Sequence, residues 1–263
     1  MTSLFKKTLL ALSAGAAVLS IVGPGVAGAA PQAAGRPSIV LVHGAWANGS
    51  SWDKVAAILI GKGYTVVAVH DPMASLSGDV ATVKRAIDAQ PGPVILVGHS
   101  YGGAVITQAG NDDKVAALVY VAAYAPSEGE TVDAINKTFP PQSWWSQIKA
   151  DPAGYLTLSA DAVVSHFAQD LPGAEARVLA ATQGPTNAAC FGEAVTQAAW
   201  KTKPSWYVVS GNDKILPPSY EAAMAKKLGA QTTTLPSSHV AMIAHPREVA
   251  DVIVAAAQKV VAP

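Results

Sequence analysis

One serine stands between glycines in Val97-Gly98-His99-Ser100-Tyr101-Gly102-Gly103. Before it runs Gly-Pro-Val-Ile-Leu-Val, residues 92–97, a short apolar stretch that reads as a buried strand. After it runs Gly-Gly-Ala-Val-Ile-Thr-Gln-Ala-Gly, residues 102–110, which reads as a helix with small residues at its start. The G-x-S-x-G spacing from Gly98 to Gly102 is the sequence form of a strand that turns sharply into a helix and lifts a serine hydroxyl off the end of a sheet. The flanking glycines relieve crowding in that turn, and the helix N-terminus favours negative charge developing beside it. Ser100 is thus the candidate nucleophile.

A serine hydroxyl needs a base, and the base needs an orienting acid, in the chain order Ser, acid, His. Ser-Gly-Asn-Asp-Lys-Ile-Leu-Pro-Pro, residues 210–218, places Asp213 on a loop directly after an apolar strand. Ser-Ser-His-Val-Ala-Met, residues 237–242, does the same for His239. Parallel strands end on one side, so both loops leave the sheet at the edge that carries Ser100. The competing acids are Glu128 and Glu130, several residues past the strand that ends near Ala123, where they read as the entrance to an insertion. Asp112 and Asp113 lie at the far end of the helix after Ser100 and face the wrong edge. His245 rivals His239 as base but precedes Pro246 at the start of the last helix, a surface capping position. His43 and His99 flank the two site turns and read as backbone braces. His70 could line a pocket, and His166 reads as an ordinary surface residue of the insertion.

Leu41-Val42-His43-Gly44-Ala45-Trp46 completes the set. A backbone N–H from this turn, paired with that of Tyr101, would hold the oxyanion of a tetrahedral intermediate, with Ala45 the expected donor. Trp46 is either pocket lining or packing, and Trp52, at a helix start, reads as packing.

The elements that must position these groups alternate. Strands are expected at Ser38–Val42, Tyr64–Val69, Val94–Gly98, Val115–Ala123, from about Ser205, and at Gln231–Pro236. Between them lie helices at 51–63, capped by Ser50 or Ser51 and stopped at Gly61 or Gly63, and at 77–90, then after Ser100, at 219–229 and from Pro246 onward. Near-continuous Val, Ile and Leu runs suggest strands covered on both faces, hence a doubly wound, mostly parallel α/β sheet. From about 124 to 203 the pattern breaks into short helical stretches, expected to form a helical lid inserted within the sheet domain. Trp144, Trp145 and Phe167 in that stretch suggest an apolar pocket.

Composition excludes other classes. Of 263 residues half are hydrophobic and 14% charged, enough for a sizeable core, while 18 basic residues balance 18 acidic ones. No basic surface for nucleic acid is expected. Cys190, the only cysteine, cannot form an intramolecular disulfide and reads as a small buried hydrophobe. The six histidines form no close-spaced ligand cluster, so no metal is expected, and the serine chemistry above needs no organic cofactor. At the N-terminus Lys6 and Lys7 precede an apolar stretch from about Thr8 to Val22, then Ala27-Gly28-Ala29. This is the pattern of a signal peptide over 1–29, followed by a linker over 30–37 and the main domain over 38–263. The apolar stretch is short for a membrane span and is interrupted by Gly23, Pro24 and Gly25, so no stable anchor is expected after cleavage. The mature chain would be secreted or periplasmic.

The segments VLVHGAW, GHSYGG, LVYVAAYAPSEGET, SGNDKILPP and SSHVAMIAHPREV together resemble the α/β-hydrolase superfamily, most closely the branch of plant methyl esterases, hydroxynitrile lyases and bacterial esterase relatives. The likeness runs from about Ser38 to the C-terminus and is weakest in the lid. It implies the α/β-hydrolase fold, hydrolysis of a small-molecule carboxylic ester, Ser100, His239 and Asp213 as the triad, and Ala45 and Tyr101 as oxyanion donors. The lyases of the branch carry lysine after the catalytic histidine and threonine after the histidine of the first turn. Here these positions are Val240 and Gly44, as in esterases. The alternatives on the same fold are lyase or cofactor-free haloperoxidase chemistry, or a binding protein that lost catalysis.

Overall fold

The structure is a computed structural model that describes residues 35–261. The signal-peptide segment and most of the linker lie outside the described residues. In chain order the elements are β1 (Ser38–Val42), α1 (Asp53–Gly61), β2 (Val66–Ala68), α2 (Leu76–Asp88), β3 (Val94–His99), α3 (Gly102–Ala109) and β4 (Val115–Val121). The insertion holds α4 (Val132–Asn136), β5 (Ile148–Ala150), β6 (Tyr155–Leu158), α5 (Ala160–Ala162), α6 (Gly173–Thr182), β7 (Thr186–Asn187) and α7 (Ala189–Gly192). The regular alternation resumes with β8 (Ser205–Ser210), α8 (Pro218–Lys227), β9 (Gln231–Leu235), α9 (Ala241–Ala244) and α10 (Pro246–Val261).

Six strands form one sheet in the order β2-β1-β3-β4-β8-β9, and every neighbouring pair is parallel. Strands β1, β3 and β8 are buried at every residue, as expected where helices cover both faces. The apolar residues of α2 recur as Leu76, Val80, Val83 and Ile87 and form its buried stripe. The side chain of Ser75 accepts from Gly78 N and caps the helix.

Two expectations are corrected here. The first helical turn is capped by Asn48, whose side chain accepts from Ser50 N, and not by Ser50 or Ser51. The insertion is not purely helical: β5, β6 and β7 form a small antiparallel sheet beside the short helices. The stretch at 161–172 contributes the single turn α5 and a π-helical turn, Val163–Phe167. No helix among the described residues is long and apolar enough to cross a membrane.

The α2 cap gives a direct test of this layer. Ser75→Ala leaves an N-terminal N–H without its acceptor and is expected to lower unfolding stability by about 1 kcal/mol, read from urea denaturation. An unchanged midpoint would show that the cap contributes nothing.

Candidate active site

Ser100 sits directly after β3 with φ +53, a left-handed conformation uncommon for a residue with a side chain. The turn that holds it is packed backbone against backbone. A Cβ at Gly98 would lie 2.6 Å from the Gly102 carbonyl oxygen, and one at Gly102 would lie 2.6 Å from that of His43. Only glycine lets β1, β3 and α3 approach this closely. Ser100 N–H donates to Val121 O at 3.2 Å, and its carbonyl accepts from Gly103 N at 2.9 Å and Tyr124 N at 3.1 Å.

The loops after β8 and β9 meet this turn. The Ser100 hydroxyl donates to His239 Nε2 at 2.8 Å, and His239 Nδ1–H donates to Asp213 Oδ2 at 2.5 Å. An ionised carboxylate only accepts, so Asp213 sets the tautomer that leaves Nε2 open to take a proton. The other oxygen of Asp213 accepts from Ile215 N at 2.7 Å and Leu216 N at 3.0 Å, which fixes the carboxylate plane. All three side chains are buried. The sequence thus names three residues that the fold brings into one hydrogen-bonded line.

The rival groups lie elsewhere. Glu128 accepts from Lys201 at 2.6 Å and Glu130 from Lys227 at 3.3 Å, both at the entrance of the insertion. Asp112 accepts from Lys114 N, within the turn after α3. His245 follows α9 with Nδ1 3.9 Å from Glu248. His166 contacts the hydroxyls of Ser143 and Ser165. His70 is exposed and lies against the Gly49 turn instead of lining the cavity.

His43 and His99 do hold backbone. His43 Nδ1–H donates to Gly44 O at 2.9 Å while Nε2 accepts from Asp71 N at 3.1 Å. His99 Nε2–H donates to the carbonyl of His239 at 2.9 Å. Burial holds both imidazoles below their usual range, so each stays neutral beside His239.

A cavity of about 250 Å³ opens beside Ser100, between the sheet edge and the insertion. Its apolar walls include Trp46, Tyr124, Trp144, Trp145 and Phe191, and Asp133 and Lys137 contribute charge. Ala45 and Tyr101 line it next to Ser100, and among the described residues no protein acceptor meets either N–H. Trp46 is therefore pocket lining, whereas Trp52 is fully buried away from the cavity. Phe167 is not a wall: its ring packs edge-on against His239, with centroids 5.1 Å apart.

Tyr124 and Phe191 were not singled out from the sequence, nor was the buried acid Asp79, which accepts from Tyr101 Oη at 2.8 Å and Met73 N at 2.9 Å. The spacing held a signal for Asp79, which falls on the α2 stripe of Leu76, Val80 and Val83. Cys190 Sγ lies 3.7 Å from the same carboxylate, and burial together with that charge pushes its thiol up to about 12. It stays a protonated thiol, in keeping with its packing role. No group of three or more His, Cys, Asp or Glu side chains among the described residues could hold a metal ion.

A family model for the alpha/beta hydrolase family matches residues 39–252. The chain belongs to the alpha/beta hydrolase family. The carbendazim hydrolyzing esterase of Nocardioides sp. (strain SG-4G) is 29% identical over 243 residues, covering 83% of this chain and 98% of the relative. Among solved structures, a pyrethroid hydrolase from Sphingobium faniae JZ-2 aligns with TM-score 0.73 at 24% identity, covering 84% of this chain and 97% of that one. An extracellular alpha/beta-hydrolase from a Paenibacillus species, similar in structure and function to tobacco salicylic acid binding protein 2, aligns with TM-score 0.72 at 22% identity over 84% of this chain and 98% of its own. At these identities the structural likeness is one of fold, and it is the fold that the motifs imply. This alpha/beta hydrolase is a hydrolytic enzyme, with esterases among its relatives.

The turn itself can be tested. Gly98→Ala drives a methyl group into backbone that cannot swing aside, and is expected to cost about 1–3 kcal/mol of stability. It should also lower ester turnover, because the displaced segment carries Ser100. A Gly98→Ala enzyme with wild-type stability and turnover would show that this contact does not shape the site.

Proposed function

We propose that the protein is an exported serine esterase, in which Ser100 is the nucleophile, His239 the general base and Asp213 the orienting acid. The observation that carries this reading is the Ser100–His239–Asp213 line ending at a cavity lined by aromatic side chains. Ser100 Oγ attacks the ester carbonyl carbon while its proton passes to His239 Nε2. The N–H groups of Ala45 and Tyr101 hold the oxyanion. As the tetrahedral intermediate collapses, the leaving alcohol takes the proton from Nε2, and the acyl group stays on Ser100. Water then attacks the acyl-enzyme, again giving its proton to Nε2, and the acid departs as Ser100 regains that proton. No step calls for a metal or an organic cofactor.

The substrate class follows from the walls. A cavity of about 250 Å³ with three tryptophans suits an ester with a compact apolar or aromatic group. The relatives named as esterases and hydrolases of small molecules support ester hydrolysis. Val240 and Gly44 do not favour the lyase alternative.

Four substitutions separate the triad from its rivals. Ser100→Ala and His239→Ala are each expected to lower kcat on a small aryl ester by about 10⁴-fold or more. Asp213→Asn keeps the shape but favours the wrong imidazole tautomer, a change worth about 10⁴-fold in a serine-protease triad. Glu128→Gln, on an exposed ion pair, should change kcat little. A folded but inactive Glu128→Gln beside an active Asp213→Asn would move the acid to the lid entrance.

Export is read from the N-terminal pattern of Lys6, Lys7, the apolar stretch and Ala27-Gly28-Ala29. The mature protein recovered from its host is expected to begin near Ala30, as measured by intact mass. A mature chain that retains Lys6 and Lys7 would defeat this reading.

A further inference from the structure

The loop that carries Asp213 rests on a second buried carboxyl group. Glu221 lies in the first turn of α8 and is fully buried. Its Oε2 accepts from Ser210 N at 2.8 Å, at the end of β8. Its other oxygen is buried without a donor, and the carboxyl that bears on Glu221, through charge and as a side-chain hydrogen-bond partner, is that of Asp213. Two carboxylates so close cannot both be ionised out of water, and a single shared proton turns the repulsion into a hydrogen bond.

The surrounding donors decide which group keeps that proton. Asp213 accepts three hydrogen bonds, from Ile215 N, Leu216 N and His239 Nδ1, and each favours its charged form. Glu221 accepts one. The titratable groups facing Glu221 are Asp213, Tyr207 from β8 and Tyr220 from its own helix, and no cation is among them. Burial first, and then the Asp213 charge, push its carboxyl well above the usual carboxylate range.

We propose that Glu221 is a positioning residue of the triad: held as the neutral carboxylic acid, it accepts from the Ser210 backbone and donates its proton to the Asp213 carboxylate. It ties the end of β8 to the acid and adds a donor without adding charge. Asp213 is then gripped from the loop, from His239 and from beneath, and the imidazole keeps the orientation that faces Ser100. This rests on the triad reading above and adds to it a residue that touches neither substrate nor the reacting atoms.

Glutamine is the isostere of a protonated glutamate, with a carbonyl for Ser210 N and an N–H for Asp213. Leucine fills the space with neither. Glu221→Leu is expected to lower kcat about 10- to 100-fold with KM within about threefold, because it disturbs the line and not the cavity. Glu221→Gln should rescue kcat to within about threefold of wild type. The rate at which a fluorophosphonate labels Ser100 should follow the same order, and it reads the triad without any choice of ester.

The proton has a signature of its own. In the unfolded chain Glu221 ionises near 4.5, whereas the fold keeps it neutral well above that. Wild-type stability is therefore lost as pH rises above that value, and Glu221→Gln escapes the loss. Its thermal midpoint should exceed that of wild type by a margin that widens from about pH 5 to about pH 8. A Gln variant as slow as the Leu variant, a Leu variant with wild-type kcat, or a margin that is flat or narrows with pH would each overturn the proposal. If wild type labels at Ser100 but cleaves no ester, the esterase reading fails while the labelling rates and midpoints still decide the role of Glu221.

Discussion

Everything at this site is referred to one backbone conformation, the left-handed turn at Ser100. A residue with a side chain held at φ +53 costs on the order of 1–3 kcal/mol and persists only where its surroundings over-determine it. Here Val121 O takes the Ser100 N–H, two N–H groups converge on its carbonyl, and the backbones of His43 and Gly102 close in where no Cβ could stand. The parallel sheet supplies these partners because β1, β3 and β4 are adjacent and end at the same edge. Ala122, the first residue past β4, also has a positive φ, 45°, and its N–H bonds to Val208 O. Two neighbouring strands thus end side by side in left-handed residues, and the serine emerges at that edge.

The same edge concentrates buried polar groups, and its electrostatics follow from keeping most of them neutral. His43 and His99 stay uncharged because burial penalises an imidazolium, so they orient backbone as neutral rings beside His239. Cys190 is kept as a thiol and Tyr101 as a phenol. Asp213 collects three donors, so one buried, hydrogen-bonded carboxylate faces the His239 imidazole.

Much of this was legible in the sequence, for reasons particular to each part. Strands β1, β3, β4 and β8 announce themselves because a strand covered on both faces must be apolar throughout. Ser100, Asp213 and His239 could be placed at one edge because parallel strands deliver their following loops to one side. The small sheet of the insertion could not: β5, β6 and β7 have three, four and two residues, too few for a period to emerge. Asn48 was passed over for the adjacent serines, since all three are good caps and only the backbone decides. Asp79 and Glu221 were hidden by the opposite habit, in which an acidic residue on a helix is read as solvated. Glu221 shares a stripe with the buried Ala225, and that spacing was the available signal.

The sheet edge and the insertion both line the cavity beside Ser100, and one residue joins them. The sheet edge supplies Ser100, His239, Asp213 and the two N–H groups, whereas Trp144, Trp145, Ile148 and Leu156 come from the insertion. Trp46 belongs to the first set by position, next to Ala45, and to the second by contact. Its backbone N–H donates to Thr186 Oγ1 at 3.2 Å and its indole N–H to Leu156 O at 3.0 Å, in two strands of the small sheet. Its ring lies 5.8 Å from that of Trp144 and 6.1 Å from that of Phe191. Trp46 also holds a left-handed backbone, φ 55°, so the chain has little freedom to absorb a shift there. A displacement of the β6–β7 sheet therefore bears on the residue adjoining the Ala45 N–H. The cavity walls of the insertion and the turn that carries the Ala45 N–H are mechanically continuous.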